Sequence, residues 1–423
     1  MLPADMWGES SVRTTRTRTT AALLGAGLCA GLANAAELEV THWWTSGGEA
    51  AAVAVFADAV NAAGHTWVDG AIAGGGGVAV GPIVARIIGG DPMHATQMNH
   101  GRDSEELIAA GLMLDLTDVA EEGNWREVVH PTSLLDSCTV DGRIYCVPVN
   151  IHSWQWIWLS HQAFADAGTD VPANWDEFVA AAPALEAAGK IPLAIGQQSW
   201  QSNGAFGVLL VAVGGVDLWR QINVDKDDDA AAGPEMARVF AAADVDRRLS
   251  QDANVGDWNL ATAMVINGEA GGQIIGDWAQ GEFAVAGQVA GQDYTCLPGL
   301  GVNDVVSTGG DAFYFPKQRD AAIEAAQKDM ARILLSPEVQ VAFNLKKGSL
   351  PVRGDVDLAM ANDCMQKGLE ILATGSVIPD GNQVFSSDTQ GQLDDLLVEF
   401  WNDLSMTTEE VQERYAEIIR WAD

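Results

Sequence analysis

The stretch HWWTSGGE, His42 to Glu49, decides the fold of this chain because it joins a strand pattern to a helix pattern. The preceding residues 37–41, ELEVT, alternate in polarity, which predicts a β-strand. Glu49 begins an alanine-rich amphipathic segment that runs to about Ala63 and predicts a helix. Similar strand and helix patterns alternate along the rest of the chain, so we expect an α/β protein.

The turn between this strand and helix carries two aromatic rings, Trp43 and Trp44, and the carboxylate of Glu49. Aromatic rings stack on the apolar face of a sugar ring, while carboxylates and the N–H groups at a helix start bind its hydroxyls. Adjacent strand residues point to opposite faces, so one core can bury both tryptophans only if the strand has ended. We therefore expect at least one of the two to contact a ligand, the alternative being that both are core residues.

The residues before this unit have the pattern of a secretory signal peptide. Three arginines within residues 13–18 precede an apolar stretch, residues 21–32, and the small residues Ala33 to Ala35 follow it. We predict that residues 1–35 are removed on export and that the mature protein lies in the periplasm. The apolar stretch is shorter than the ~20 residues of a spanning helix, and no later segment is expected to reach that length without charges.

Four cysteines follow the predicted signal peptide: Cys138, Cys146, Cys296 and Cys364. In an oxidising compartment an even set predicts disulfides, here with three possible pairings. Asp141-Gly142 is a hairpin-turn signal, so a bridge between Cys138 and Cys146 is natural, which leaves Cys296 with Cys364. The seven histidines are scattered, and without close Cys/His clusters we expect no metal site.

Composition limits the classes of partner. The chain has 58 acidic and 23 basic residues, a formal net charge of −35, which makes nucleic acid and anionic lipid surfaces unsuitable partners. Its length of 423 residues favours two domains.

Two local patterns predict particular elements. Residues 144–159 form a long apolar and aromatic run that predicts a strand region, and Asn174 with Glu177 predicts the capped start of a helix.

Motifs for chemistry are weak. Gly74 to Gly77 is glycine-rich but lacks the lysine and hydroxyl of a phosphate-binding Walker loop and the spacing of a dinucleotide fingerprint, so we expect no cofactor. No Gly-x-Ser-x-Gly nucleophile motif is present. Aspartate and glutamate residues could still pair for glycoside hydrolysis, in which two carboxyl groups lie ~5 to 9.5 Å apart, and the sequence leaves that alternative open.

Six motifs then stand in order along the chain: HWWTSGGE (42–49), AGGGG (73–77), VPVNIH (147–152), DWNLATAMVI (257–266), GDWA (276–279) and NLKKGS (344–349). Together they resemble the periplasmic glucose-binding proteins of ABC importers, members of the extracellular solute-binding family 1. The resemblance covers essentially the whole mature chain. It implies two α/β lobes joined by several hinge crossings, with a sugar in the cleft between them. The lobes would comprise residues 36–149 with 310–352 and residues 150–309 with 353–423.

The resemblance also implies ligand contacts. Glu49 and Asp311 would accept hydrogen bonds from sugar hydroxyls, and Lys347 would donate one. Without the resemblance, the local sequence around Trp258 and Trp278 favours a core position for both. The residues that the resemblance places at the ligand are Trp43, Trp44, Glu49, Asn99, Asp311 and Lys347 in the first lobe, and Trp258 and Trp278 in the second.

Two positions depart from the family pattern. Asn99, followed by His100, stands where relatives carry a lysine or histidine, and residues 373–382 lack a histidine that relatives use as a donor. Pockets discriminate strongly when a buried polar group is left unpaired, so these changes should shift the preferred sugar. We expect a glycoside or a disaccharide to bind more tightly than glucose, with glucose itself as the alternative.

The sequence as a whole predicts a monomeric binding protein that performs no chemistry. It would capture a neutral sugar, close about its hinge and present the closed form to the permease of an ABC importer. The two alternatives are a periplasmic glycoside hydrolase and a sugar sensor coupled to a chemoreceptor.

Overall fold

The computed structural model describes residues 35–253 and 255–423, so residues 1–34 of the predicted signal peptide lie outside the described residues. The strands are β1 (Glu37–His42), β2 (Thr66–Ala71), β3 (Ala95–Asn99), β4 (Thr139–Val140), β5 (Arg143–Ile144), β6 (Cys146–Pro148), β7 (Trp156–Ser160), β8 (Ile191–Leu193), β9 (Ala270–Ile274), β10 (Tyr294–Pro298), β11 (Val306–Ser307), β12 (Asp311–Tyr314) and β13 (Val377–Ile378).

The helices alternate with these strands, as an α/β fold requires. They are α1 (Gly47–Ala62), α2 (Gly76–Gly89), α3 (Glu105–Ala109), α4 (Thr117–Glu122), α5 (Trp125–Val128), α6 (Ser133–Asp136), α7 (His161–Ala167), α8 (Trp175–Ala187), α9 (Ser199–Leu209), α10 (Gly215–Asn223), α11 (Asp228–Ala231), α12 (Pro234–Leu249), α13 (Trp258–Ile266), α14 (Ala279–Val285), α15 (Ala321–Leu334), α16 (Pro337–Lys347), α17 (Asp363–Thr374), α18 (Gly381–Val384), α19 (Ser387–Asn402) and α20 (Thr408–Trp421).

The first lobe is built on a five-stranded sheet in the order β2-β1-β3-β12-β6. Strand β1 pairs in parallel with β2 and β3, because α1 and α2 carry the chain back between successive strands. Strand β12 enters from a distant part of the chain and pairs antiparallel with β3 and β6. Its first residue, Asp311, therefore lies opposite Asn99, the last residue of β3. The carboxyl ends of β1 and β3 and the amino end of β12 thus share one edge.

The second lobe is built on a four-stranded sheet in the order β10-β7-β9-β8. Strands β8 and β9 are parallel, so the loops that follow them leave the sheet at the same edge. The predicted strand region 144–159 is not continuous: β6 ends at Pro148 in the first sheet, and β7 begins at Trp156 in the second. The apolar run is therefore a crossing between the lobes, and burial on both sides explains why it carries no polar alternation.

Separate hydrophobic clusters fill the two lobes. The first includes Phe56 and Phe313, and the second includes Phe206 and Phe240. Helix α17 lies at the junction, because its Met365 packs in the first cluster although the sequence prediction assigns that residue to the second lobe. The exact lobe boundaries stay a prediction.

Among the described residues, one helical run, Ser199–Asn223, is long and apolar enough to cross a membrane by length and composition. It contains Asp217 and Arg220, so it does not contradict the expectation that no later segment reaches ~20 residues without charges. It joins α9 and α10 through a π-helical turn, Leu210–Gly214, and has no charged residue before Asp217. Of the most apolar 18-residue segment of this helix, 56% is buried inside the protein. Phe206 and neighbouring residues pack in the second cluster, as in a core helix.

Two local predictions agree with the structure. Asn174 caps α8 and its side chain accepts a hydrogen bond from the backbone of Glu177. Asp141 and Gly142 both have positive φ angles, 50° and 77°, and turn the hairpin of β4 and β5.

The cysteines pair as the sequence suggests. The structure joins Cys138 to Cys146 beside this hairpin, with Cα atoms 5.1 Å apart. It joins Cys296 to Cys364 with Cα atoms 6.0 Å apart, which ties β10 to α17. The second bridge therefore fixes the junction helix to the second sheet.

Candidate functional site

A cavity of about 720 Å³ opens at the sheet edge where β1 and β3 end and β12 begins. Ligand sites of open α/β sheets lie outside the carboxyl ends of the strands, so the topology places a site there. The residues that the sequence predicts at the ligand all line this cavity: Trp43, Trp44, Glu49, Asn99, Trp258, Trp278, Asp311 and Lys347.

The two neighbouring tryptophans take different positions just after β1 has ended. Trp44 is 2% exposed and packs among the rings of Phe56, Phe313 and Phe343. Trp43 packs along Gly76 at the start of α2, where a Cβ atom would lie 3.5 Å from the indole ring. Both tryptophans belong to the first core cluster and reach the cavity wall, and Trp43 is the more exposed of the two at 9%.

Glu49 and Lys347 form a buried ion pair in the first-lobe wall of the cavity. The Lys347 Nζ atom lies 2.8 Å from Glu49 Oε1. Glu49 also closes a capping box with Ser46 at the start of α1, which fixes its side chain. Both ions are therefore held in place before a ligand arrives. A carboxylate and an ammonium together offer acceptors and donors to hydroxyl groups.

Three side chains, Gln97, Asn150 and His152, hold the Asp311 carboxylate in the cavity. Its Oδ1 accepts a hydrogen bond from Gln97 at 2.6 Å, and its Oδ2 accepts one from Asn150 at 2.9 Å. The imidazole of His152 lies 2.9 Å from Oδ2. Burial alone would raise the pKa of Asp311, but these partners and the charge of Lys347 hold that pKa below its usual range. Asp311 is therefore a fixed, ionised acceptor.

His152 connects this carboxylate to a second one. Its Nδ1 lies 2.7 Å from Asp277, which also accepts a hydrogen bond from the Ser153 amide at 3.0 Å. Burial lowers the pKa of His152, but the two carboxylates outweigh burial and raise it above its ordinary value. Burial raises the pKa of Asp277, and His152 offsets that rise only in part. The charge on His152 thus stabilises two buried carboxylates in the cavity floor.

Four tryptophans of the second lobe form a cluster around Trp278, which contacts His152. Trp278 packs edge-on against His152 at 5.2 Å between ring centres and against Trp154 at 4.9 Å. Trp200 and Trp258 lie beside Trp278 at 6.1 and 6.5 Å. Trp258 is 7% exposed and packs in a core cluster, whereas Trp278 is only half-buried. Trp278 therefore offers the larger free ring surface to a ligand.

The rim of the cavity brings the lobes into contact. The Gly48 amide donates to Glu282 of α14 at 2.7 Å, and the side chain of Gln280 donates to the carbonyl of Gly348 at 2.6 Å. A Cβ atom on Gly48 would overlap the backbone of Gly281, so this close approach of α1 and α14 requires glycine. The lobes therefore meet through backbone as well as side chains.

Asn99 and His100 stand at the end of β3 and just after it, at the first position where the sequence departs from the expected family pattern. Asn99 lies at the cavity and donates to Asp103 at 3.4 Å. His100 is buried beneath it, and its Nδ1 lies 3.1 Å from the amide nitrogen of Gln383. Burial lowers the pKa of His100 to about 4, which keeps its ring neutral near pH 7.

Residue-by-residue prediction assigned no role to four side chains that build this site: Gln97, His152, Trp200 and Asp277. His152 and Asp277 stand inside quoted motifs, yet 125 positions separate them, so neither motif predicts the contact. The sequence offered one signal: each motif sets an ionisable residue among apolar neighbours, His152 after Ile151 and Asp277 before Trp278. An ionisable residue in such a setting is expected to be paired when it is buried.

Known proteins share this architecture. Residues 44–341 match the family model of the bacterial extracellular solute-binding proteins. A probable sugar-binding periplasmic protein of Brucella suis biovar 1 is 38% identical over 356 residues, which are 83% of this chain and 83% of the relative. A probable sugar-binding periplasmic protein of Rhizobium meliloti is 38% identical over 358 residues, 84% of this chain and 86% of the relative.

A solved structure of a chitin oligosaccharide binding protein is similar in fold, with a TM-score of 0.75 at 20% identity, and covers 92% of this chain and 99% of its own. This likeness confirms the predicted α/β fold of two lobes. The extent of the family match and the identity to the two relatives settle the membership that the sequence motifs predict. The chain belongs to the family of bacterial extracellular solute-binding proteins.

Proposed function

We propose that this protein binds a neutral sugar or glycoside in the interlobe cavity and delivers it to the permease of an ABC importer. One observation carries the proposal: tryptophan rings and charged side chains from both lobes line a single cavity. Trp43 and Trp278 supply stacking surfaces, and Asp311 and the Glu49–Lys347 pair supply fixed hydrogen-bonding groups. The names of the two bacterial relatives, both probable sugar-binding periplasmic proteins, support the same ligand class.

This geometry supports closure of the lobes around a ligand. A ligand that touches Trp43 on one lobe and Trp278 on the other favours the closed state by the free energy of contacts that only that state makes. The hydrogen bond between α1 and α14 at the rim stabilises the closed state even when no ligand is bound. The permease would then recognise the closed arrangement. We propose a periplasmic, monomeric protein that acts in this way and catalyses no reaction.

The two departures from the expected family pattern, at Asn99 and in residues 373–382, determine the preferred sugar. Asn99 already donates to Asp103, and His100 is turned towards Gln383, so neither replaces a free cationic donor at the ring edge. We propose that a glycoside or disaccharide binds more tightly than glucose because a larger ligand supplies its own partners there. Competition calorimetry tests this. If glucose displaces every glycoside and disaccharide tried, the departures are neutral.

Binding itself is tested by a thermal-shift screen over monosaccharides, disaccharides and glycosides, followed by calorimetry. A ligand at 100 times its Kd stabilises the folded state by about 2.7 kcal/mol, so hits raise Tm. No shift with any sugar would overturn the proposal. Incubation with labelled oligosaccharide then separates a binder, which leaves the substrate intact, from a glycoside hydrolase. Sugar uptake in cells that lack the importer permease separates transport from chemoreceptor signalling.

A further inference from the structure

The interlobe cavity extends beyond the eight predicted residues, along one face of α9. Trp200, Asn203, Gly207 and Leu210 all line it, and their spacing of three or four positions places them on the same side of the helix. From Trp200 to Leu210 this face continues for about 15 Å of helix. We call the part of the cavity lined by Asn203, Phe206, Gly207, Leu210, Trp219 and Asp394 the distal chamber.

The distal chamber contains a second carboxylate, Asp394, which accepts hydrogen bonds from amide side chains as Asp311 does but lacks the cationic partner of Asp311. The Oδ1 of Asp394 accepts a hydrogen bond from Asn203 at 2.6 Å and one from Gln390 at 3.3 Å. Among the described residues, no lysine, arginine or histidine forms an ion pair with Asp394. Burial raises the pKa of this carboxyl to about 6. A part-buried carboxylate that has only amide partners is a group that ligand hydroxyls would stabilise.

Aromatic and small residues shape the rest of the chamber. Phe206 and Trp219 are 1% and 5% exposed, and they give the chamber an apolar wall beside the Asp394 carboxylate. The Asp394 carboxylate and the Asn203 amide therefore supply hydrogen-bonding groups beside an apolar wall. This combination suits an amphipathic ring with hydroxyls on its edge, and it does not suit a purely apolar group.

Gly207 keeps the chamber open. It lies within α9, where glycine destabilises a helix relative to alanine. Its φ angle is negative, and a Cβ atom built on it would meet no atom within 4 Å. Gly204, one turn earlier, differs, because a Cβ atom there would overlap the ring of Trp154. Packing therefore explains Gly204 but not Gly207, whose missing side chain leaves free volume in the chamber.

We infer that the distal chamber is a second carbohydrate subsite, which binds the sugar unit linked to the one held at Asp311. The protein then takes a disaccharide or a longer glycoside whose second unit hydrogen-bonds to Asp394 and Asn203. This inference rests on the proposed function. Residues of α9 and α19 then bind the second sugar unit, so these helices determine whether a ligand longer than one unit binds. Residues of β12, α16 and the loop after β9 hold the first unit.

The test is Gly207→Leu, with Gly207→Ala as the matched control. Calorimetry would measure glucose, galactose and xylose against maltose, cellobiose and trehalose on the purified mature protein. We expect the wild type to bind at least one disaccharide more tightly than any of these monosaccharides. Gly207→Leu should weaken that disaccharide by about tenfold or more, because its side chain fills the chamber. Monosaccharide affinity should stay within about twofold of wild type, since the first unit does not reach position 207.

Several outcomes overturn the inference. If the monosaccharides bind but no disaccharide binds more tightly, or if Gly207→Leu weakens both classes equally, the second subsite is wrong while the proposed function stands. If no sugar binds the wild type, both fail. Should Gly207→Leu not fold, Asp394→Asn replaces it: a tenfold or greater loss confined to the disaccharide supports the subsite, and an equal effect on both classes contradicts it.

Discussion

The imidazole of His152 lies 2.9 Å from the carboxylate of Asp311 and 2.7 Å from that of Asp277, so one cation serves two buried anions in the cavity floor. Removing one partner of a buried ionic group leaves the others uncompensated, which costs about 3 to 5 kcal/mol. We expect His152→Gln to lower the free energy of unfolding by that order, as measured by urea denaturation. The double variant His152→Gln/Asp277→Asn should recover part of the loss.

The same contact predicts how the effect of His152→Gln depends on pH. The folded-state pKa of His152 is raised above its ordinary value of 6.5. Its stabilising contribution is therefore fully present below the unfolded pKa and is lost as the pH rises through the folded pKa. The stability gap between wild type and His152→Gln should thus be largest in mild acid and should shrink in alkali. A gap that widened with rising pH would contradict a charged imidazole.

The two second-lobe tryptophans should separate binding from folding. Trp278→Ala should weaken sugar binding by roughly 1 to 3 kcal/mol with little loss of stability, because its ring is half-buried beside the cavity. Trp258→Ala should lower stability by roughly 3 to 5 kcal/mol, because Trp258 is 7% exposed and packs in a core cluster. Calorimetry and thermal unfolding of both variants measure the two effects. Unchanged affinity in Trp278→Ala would remove that ring from the ligand site.

The Glu49–Lys347 pair permits a similar separation. Lys347→Met leaves the Glu49 carboxylate buried without its cation, so we expect lower stability and weaker sugar binding. In the double variant Glu49→Gln/Lys347→Met no charge is stranded, so stability should return towards wild type while sugar binding stays weak. Denaturation with calorimetry distinguishes the outcomes. If the double variant bound sugar as wild type does, the pair would be structural only.

Local sequence patterns predicted the first unit of the fold, and the family resemblance named eight residues that line the cavity. The strand, turn and helix around Trp43 and Glu49 depend on alternation and a capping box, which neighbouring residues determine. The assignment of Asp311 came from the family resemblance, and the structure places this residue opposite Asn99 through the pairing of β12 with β3. Such antiparallel pairing of distant segments cannot be predicted from the sequence of either segment alone.

Other features could not be read from local sequence for physical reasons. The partnership of His152 with Asp277 depends on how the segment after β6 packs against the loop after β9, because neither residue has a charged neighbour that reveals it. The apolar run 144–159 looked like one strand region because burial on all sides removes the alternation that marks where a strand ends. Ser199–Asn223 is apolar over much of its length because it is a core helix, and some of its polar side chains, such as Asn203, border the cavity.

Asp246 on α12 predicts a pH effect on stability away from the cavity. It is 3% exposed, one of its carboxyl oxygens has no hydrogen-bond partner, and burial raises its pKa from 3.8 to about 7. Folding therefore disfavours the ionised form, so this group lowers stability progressively as the pH rises from the unfolded pKa towards 7. Asp246→Asn should raise the free energy of unfolding by up to about 4 kcal/mol in mild alkali.

Chemical denaturation at several pH values measures this effect, with the exposed Asp58→Asn variant as a control that should change little. The gain from Asp246→Asn should disappear in acid below the unfolded pKa, where the wild-type carboxyl is protonated in both states. An equal gain at all pH values would show that the amide acts through packing and not through the removed charge.

Titration of Asp394 predicts that the affinity for a disaccharide, but not for a monosaccharide, depends on pH in mild acid. In the free protein burial raises the pKa of Asp394 to about 6, and Asn203, Gln390 and the neighbouring Asp395 are the polar groups around it. Hydroxyls that donate to Asp394 stabilise its ionised form, so binding lowers its pKa. The affinity for a disaccharide should then be fully present above pH 6 and fall as the pH drops through that value. Monosaccharide affinity should hold, because His152 and its partners keep the pKa of Asp311 far lower. Calorimetry across mild acid measures both ligands, and Asp394→Asn should remove the difference. A parallel decline of both affinities would place the titrating group at the first sugar unit and not at Asp394.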